Sequence, residues 1–404
     1  MTAELSSKLK AGFYITLSVF VGLVSVFWFP VISLFLLFIM SLVYRDILGY
    51  RKFIFTALSV SSLFAVINIL KLQESDLHAY IKYFYLLKDL SFFQASDFVF
   101  LNIRYTEVVF RMYVWLLSQI FTTAVAFVVL STVIIYFSNI FFTLSFSRRV
   151  ANNVKSEGWL FLLLSMVWCC FVGITFSLTG HVIRQYLGVS VFALGLLFLM
   201  QGRMYVGWLI LLLSGLVHNA LFLLVPIFIM SLLMSKYLKG LVVTISILLI
   251  SYSLSGYVNL LGGLAPNILN RGEAENSGMM IILDVVLVVL FRIVYRKDMK
   301  KKEVAQFNAF VILYSSFLIL FHGESLIFLR YYFIFDIIRS VIGVLLILKL
   351  NKDGVILISS PLILFSIGFF MFRYSNSPWD YGFNGVSIIV ANLDQILGRV
   401  DLLY

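Results

Sequence analysis

The chain has 404 residues, of which 62% are hydrophobic and only 12% charged, and its mean hydropathy is +1.05. That excludes a water-soluble domain, whose surface needs roughly twice this share of charged side chains. The formal charge of +11 calls for no nucleic-acid partner, because its distribution along the chain is that of a membrane protein.

The elements follow in chain order. Lys8 and Lys10 precede an apolar run with no small-residue cleavage site, which predicts an uncleaved first helix. Residues 11–44, interrupted near Trp28 and Pro30, would run for about 50 Å as one helix, so two helices with a tight turn are expected. Residues 53–70, 159–178, 185–202 and 354–372 each fit one span. Residues 204–235 are too long for one and are interrupted near His218 and Asn219, which predicts two helices. Residues 112–147 read as an interfacial segment leading into one helix. Between the spans lies a loop, 71–111, with interfacial helices, and a tail follows at 373–404. The fold class is an all-α polytopic membrane protein, one transmembrane domain over 1–404 with about 11–13 transmembrane helices. Cys169 and Cys170 are adjacent in an apolar run, which suits neither a disulfide framework nor a zinc site, and they read as packing residues.

Orientation follows from lysine and arginine. With the N-terminus inside, the inner connections fall near 45–52, 147–157, 201–203, 235–240, 296–303 and 349–353. With the N-terminal tail they hold 18 of the 30 basic residues and 6 of the 19 acidic ones. The positive excess therefore lies on one side, as the positive-inside rule requires. A reporter fused after Lys301 is expected to be cytoplasmic and one after Arg271 external, since five basic residues lie between Arg296 and Lys302. Both reporters on one side would remove this topology.

On this topology His78, His181, His218 and His322 all fall outside, with Arg184, Arg271 and Arg330, which suggests a basic, titratable cleft. Arg184 opens an apolar helix beside Gln185 and has two readings: snorkelling to headgroups, or holding an anion. His218 either caps a tight turn or works as a titratable group. Asp336 and Arg339, three apart on one helix, predict a structural ion pair, and Asp284 is expected to pair with Arg292. Asp76 and Tyr80 are four apart and share a helix face, while Glu107 stands where the chain re-enters the membrane in "RYTEVVF". Tyr80, Tyr83, Tyr85, Phe92 and Phe93 form either an interfacial aromatic belt or a platform for sugar rings.

In order, these residues are Asp76 and Tyr80, Glu107, Arg184 and Gln185, His218, then Arg330, Tyr331 and Tyr332. This order resembles the EpsG-like, Wzy-type bacterial polysaccharide (O-antigen) polymerases over roughly residues 70–335. Val108 follows the glutamate where that family pattern carries a proline. The resemblance implies a GT-C-like glycosyltransferase of the bacterial inner membrane with its site facing outward. It would move a glycan from undecaprenyl diphosphate to the non-reducing end of a lipid-linked repeat unit. It implies catalytic roles for His218, Asp76 and Glu107, with His218 the favoured base and His322 and Glu324 further candidates. Arg184, Gln185, Arg330, Arg271, Tyr331 and Tyr332 would bind diphosphate, and Tyr80, His322 and Glu324 the glycan. No metal or other cofactor is expected; a chain-length regulator and membrane lipids are the expected further partners. An O-antigen ligase shares the donor but favours a large late outer loop, whereas the longest here is early. A flippase calls for two similar halves, and no internal repeat is visible. A proton-coupled transporter calls for more deep acids.

Overall fold

The computed structural model describes residues 31, 51–73, 75–98, 107–151, 159–180, 182–238, 243, 246–254, 278–321, 331–375, 381–383, 387 and 391–403. The expected helices in 11–44 lie outside the described residues apart from Val31. Among the described residues there are fifteen α-helices and no strand, as an uninterrupted apolar composition requires: in hydrocarbon a helix satisfies its own backbone groups.

Helix α1 spans Arg51–Asn68, and the expected interfacial helices follow as α2 (Ser75–Lys88) and α3 (Phe92–Asp97). Ser91 and Gln94 close a capping box on α3, which fixes the start of this short helix. The 112–147 run divides into α4 (Val108–Ile120) and the long α5 (Val125–Ala151). Helix α5 packs along α1.

Helix α8 (Ile183–Met200) ends at Gly202, whose φ of +80° is the left-handed conformation that favours glycine at a helix end. The chain reverses there into α9 (Met204–Val217), which lies against α8. The expected interruption at His218 is present: its backbone is extended (φ −146°, ψ 114°), and a 3₁₀ turn (Asn219–Leu223) leads into α10 (Leu224–Met234). Helix α10 then packs along α12 (Lys302–Leu320). Helix α11 (Gly278–Val294) contacts α13 (Phe335–Leu348). Helix α14 (Lys352–Ser375) is mostly exposed and carries Pro361 in its interior. A short amphipathic helix, α15 (Leu393–Leu403), closes the chain.

The 159–178 run departs from the expected single helix. It forms α6 (Trp159–Val167), a π-turn (Trp168–Gly173), an extended step at Ile174, and α7 (Phe176–Thr179). The widened turn leaves carbonyls outside the helical ladder, and α13 uses one of them: Arg339 Nη1 donates to the Gly173 carbonyl at 3.1 Å. In the other direction, Trp168 Nε1 of the turn donates to the Arg339 carbonyl of α13 at 3.1 Å.

Asp336 and Arg339 do pair, at 2.8 Å in the buried core. Asp284 does not pair with Arg292 as expected: it meets Arg339 in a bidentate contact (2.5 and 2.8 Å), while Arg292 donates to Asn308 Oδ1 at 2.7 Å. Asp284 and Arg292 are eight positions apart on α11, too far for one side chain to reach the other, whereas α13 brings Arg339 alongside. Both cysteines are buried and free.

Candidate functional site at one end of the bundle

Glu107 is the residue before the first turn of α4 and is 1% exposed. One carboxylate oxygen accepts from Arg184 Nη1 at 2.7 Å, and the other lies 3.0 Å from His218 Nδ1. Residues separated by 77 and 111 positions thus meet on a single side chain. Each arrives for a local reason. Arg184 is second in α8, and α4 begins at Glu107 with no side-chain cap of its own, so its carboxylate is available to distant partners. His218 reaches the cluster because α9 stops there and bends. Gly188, one turn along α8 from Arg184, admits that bend: a Cβ on it would stand 2.5 Å from Leu221 Cδ1 and 3.1 Å from His218 Cβ.

Helix α2 brings the next pair. Tyr80 is buried, and Asp76 lies on the same face. The Asp76 charge favours the charged form of Arg184, and the Tyr80 hydroxyl lies close to Arg184. The Tyr80 ring packs edge-on against Phe110 (5.6 Å) and Phe127 (6.3 Å), so it offers the site a hydroxyl and not a ring face. Burial raises its pKa above the ordinary tyrosine value, against the opposing pull of Arg184, so the phenol stays protonated and can donate a hydrogen bond. Gln185 is buried beside Arg184, and His78 is exposed on α2. Of the aromatics expected as a belt or platform, Tyr83 is buried while Tyr85, Phe92 and Phe93 are exposed.

Tyr332 goes elsewhere: it is buried and donates to Asp284 Oδ2 at 2.5 Å, in the Arg339 network. The Tyr331 carbonyl accepts from Tyr314, and its ring meets Phe317 edge-on at 5.0 Å. Arg271, Arg330, His322, Glu324 and His181 lie outside the described residues.

Two cations went unassigned in the sequence reading. Arg111, one turn after Glu107 on α4 and 1% exposed, donates to the Phe98 carbonyl at 3.3 Å; the same carbonyl accepts from Tyr83. Its signal was the four-residue spacing from Glu107, which puts both on one helix face. Lys71 is fully buried, donates to the Phe176 carbonyl at 3.1 Å and stands 4.9 Å from the centre of the Phe176 ring. Burial lowers its proton affinity well below the ordinary lysine value. Nothing in the local sequence signals this, because the partner is 105 positions away.

Of the nine residues in the order Asp76, Tyr80, Glu107, Arg184, Gln185, His218, Arg330, Tyr331 and Tyr332, five (Asp76, Tyr80, Glu107, Arg184 and His218) gather at one end of the bundle. The EpsG family matches residues 53–384, a stretch that contains all of them. The chain belongs to the EpsG family. It is a multi-pass membrane protein of polysaccharide-polymerase type, and its helical architecture agrees with that membership. No curated relative and no solved structure matches it. Within this EpsG-family chain, the Glu107 cluster is the one place among the described residues where a guanidinium, an imidazole and a carboxylate meet.

Proposed function

We propose that the chain is an O-antigen-type polysaccharide polymerase. It transfers a glycan from undecaprenyl diphosphate to the non-reducing end of a lipid-linked repeat unit at the outer face of the inner membrane. The observation that carries this reading is the sharing of Glu107 between Arg184 and His218, one oxygen to each. The ionised carboxylate favours the proton on His218 Nδ1, which makes Nε2 the acceptor for the proton of the attacking hydroxyl. That hydroxyl bonds to the anomeric carbon from the face opposite the diphosphate. The bond from that carbon to the diphosphate oxygen breaks with inversion, and the diphosphate leaves with the electron pair.

The leaving group is anionic and held at the membrane surface by its lipid. A guanidinium at a helix end is placed for it, and each charge-assisted bond contributes about 1.5–3 kcal/mol. Tyr80, protonated and beside Arg184, supplies a neutral donor to the same charge. In this reading arginine charge stabilises the leaving group, with Arg271 and Arg330 as further contributors and Gln185 supporting Arg184. Asp76, His322 and Glu324 bear on the acceptor side.

Deletion followed by gel analysis of surface glycans tests the reading. Loss of the ladder with a single repeat unit retained is the expected result. Loss of the single repeat as well points to a ligase or flippase and overturns it.

A further inference from the structure

A second polar cluster lies in the core beside the first, and its connections to α8 give it a part in the reaction. Asp336 on α13 accepts from the Thr175 backbone N–H at 2.7 Å, from the Thr175 hydroxyl at 3.1 Å and from Arg339 Nη1 at 2.8 Å. Its fourth donor is the Tyr186 hydroxyl, at 2.6 Å. Arg339 is held in turn by Asp284, and Asp284 by Tyr332. The acceptor that Tyr186 finds is thus fixed from three other elements: α11, α13 and the step after the π-turn.

Tyr186 stands two residues beyond Arg184 in the first turns of α8. At about 100° per residue the two side chains leave the helix on nearly opposite sides. Arg184 faces Glu107 on α4, and Tyr186 faces Asp336 on α13. A bond from one side to a fixed carboxylate sets the rotation of the helix about its axis, and that rotation decides where the opposite side chain points. The start of α8 has no side-chain cap to do this instead.

We infer that Tyr186 is a positioning residue of the Glu107 site: its hydroxyl, bonded to Asp336, fixes the rotation of α8 so that Arg184 presents its guanidinium to the diphosphate. The inference rests on the glycosyl-transfer reading above. Tyr186 touches no substrate in it, and its effect is exerted through Arg184.

The experiment is a double-mutant cycle on transfer in reconstituted membranes, from lipid-linked repeat, with turnover counted per correctly inserted molecule. Tyr186→Phe removes one hydroxyl and is expected to lower turnover about tenfold, which corresponds to about 1.4 kcal/mol in the barrier. The KM for the acceptor should stay unchanged. In an Arg184→Lys background, where the fork is already lost, Tyr186→Phe should cost less than about twofold. Tyr295→Phe is the control: its hydroxyl donates to the Leu345 carbonyl at 2.8 Å and the residue is equally buried, but it lies in the turn after α11, an element that does not carry the site. It should remain within about twofold of wild type. A loss through folding alone multiplies both backgrounds equally, so equal factors overturn the positioning role, as does wild-type turnover in Tyr186→Phe. Wild-type protein with no transfer overturns the functional reading and the inference together.

Discussion

His218→Ala should abolish polymer formation while the protein remains inserted, with transfer falling by roughly 10²- to 10⁴-fold, the range general-base catalysis supplies. The extended backbone at position 218 and the glycine opposite it, Gly188, do not depend on the imidazole, so the bend in the chain survives. Glu107→Gln is the sharper companion. The amide keeps the shape but presents an N–H to His218 Nδ1, which moves the imidazole proton to Nε2 and removes the base. Turnover should therefore fall about as far as in His218→Ala. The same change also takes a negative charge away from Arg184, so inorganic pyrophosphate should bind more tightly than to wild type. Titration calorimetry and lipid-linked polymer assays read the two effects separately. A glutamine variant with a full-length ladder would transfer the base to Asp76.

Arg184→Lys should lower the transfer rate by roughly 10- to 150-fold, the equivalent of one lost fork bond of about 1.5–3 kcal/mol in the transition state. Lysine keeps the charge but cannot bond Glu107 and a phosphate oxygen from one rigid plane. Snorkelling needs only a long cationic side chain, so on that reading the change is close to silent. In the structure the Arg184 side chain is 11% exposed and bonds to the buried Glu107 carboxylate. Purified wild type, Arg184→Lys and Arg184→Ala, compared at equal amounts in membranes, complete the test. A lysine variant with wild-type turnover would remove Arg184 from the site.

Among these residues, the breaks that matter are legible in the sequence. His218 and Asn219 interrupt an apolar run too long for one helix, and a polar pair in such a run marks a chain reversal. Arg184 was legible as a charge at the head of an uncharged span. What the local sequence did not signal was a joint in an apolar run. Residues 159–178 read as one span, and the π-turn within them arises from packing against α13, where Trp168 and Arg339 trade hydrogen bonds with backbone carbonyls. For Tyr80 the deciding contact is likewise tertiary. Its spacing from Asp76 gave the helix face, but whether that face meets solvent or Phe110 and Phe127 is settled by how α2 lies on α4 and α5.

The sequence by itself determined the class and the approximate spans, and it named the charged and polar residues from which the cluster is drawn. Hydrocarbon permits few backbone solutions, and it makes each charge in an apolar run costly enough to stand out. Only the tertiary structure decided the partners. Asp284 faces Arg339 and not Arg292, Tyr332 serves Asp284 and not the cluster, and Glu107 divides its two oxygens between Arg184 and His218. A carboxylate states its charge in the sequence, but which cation it meets depends on the rotation and depth of helices far apart in the chain. Those are set by the packing of the whole bundle.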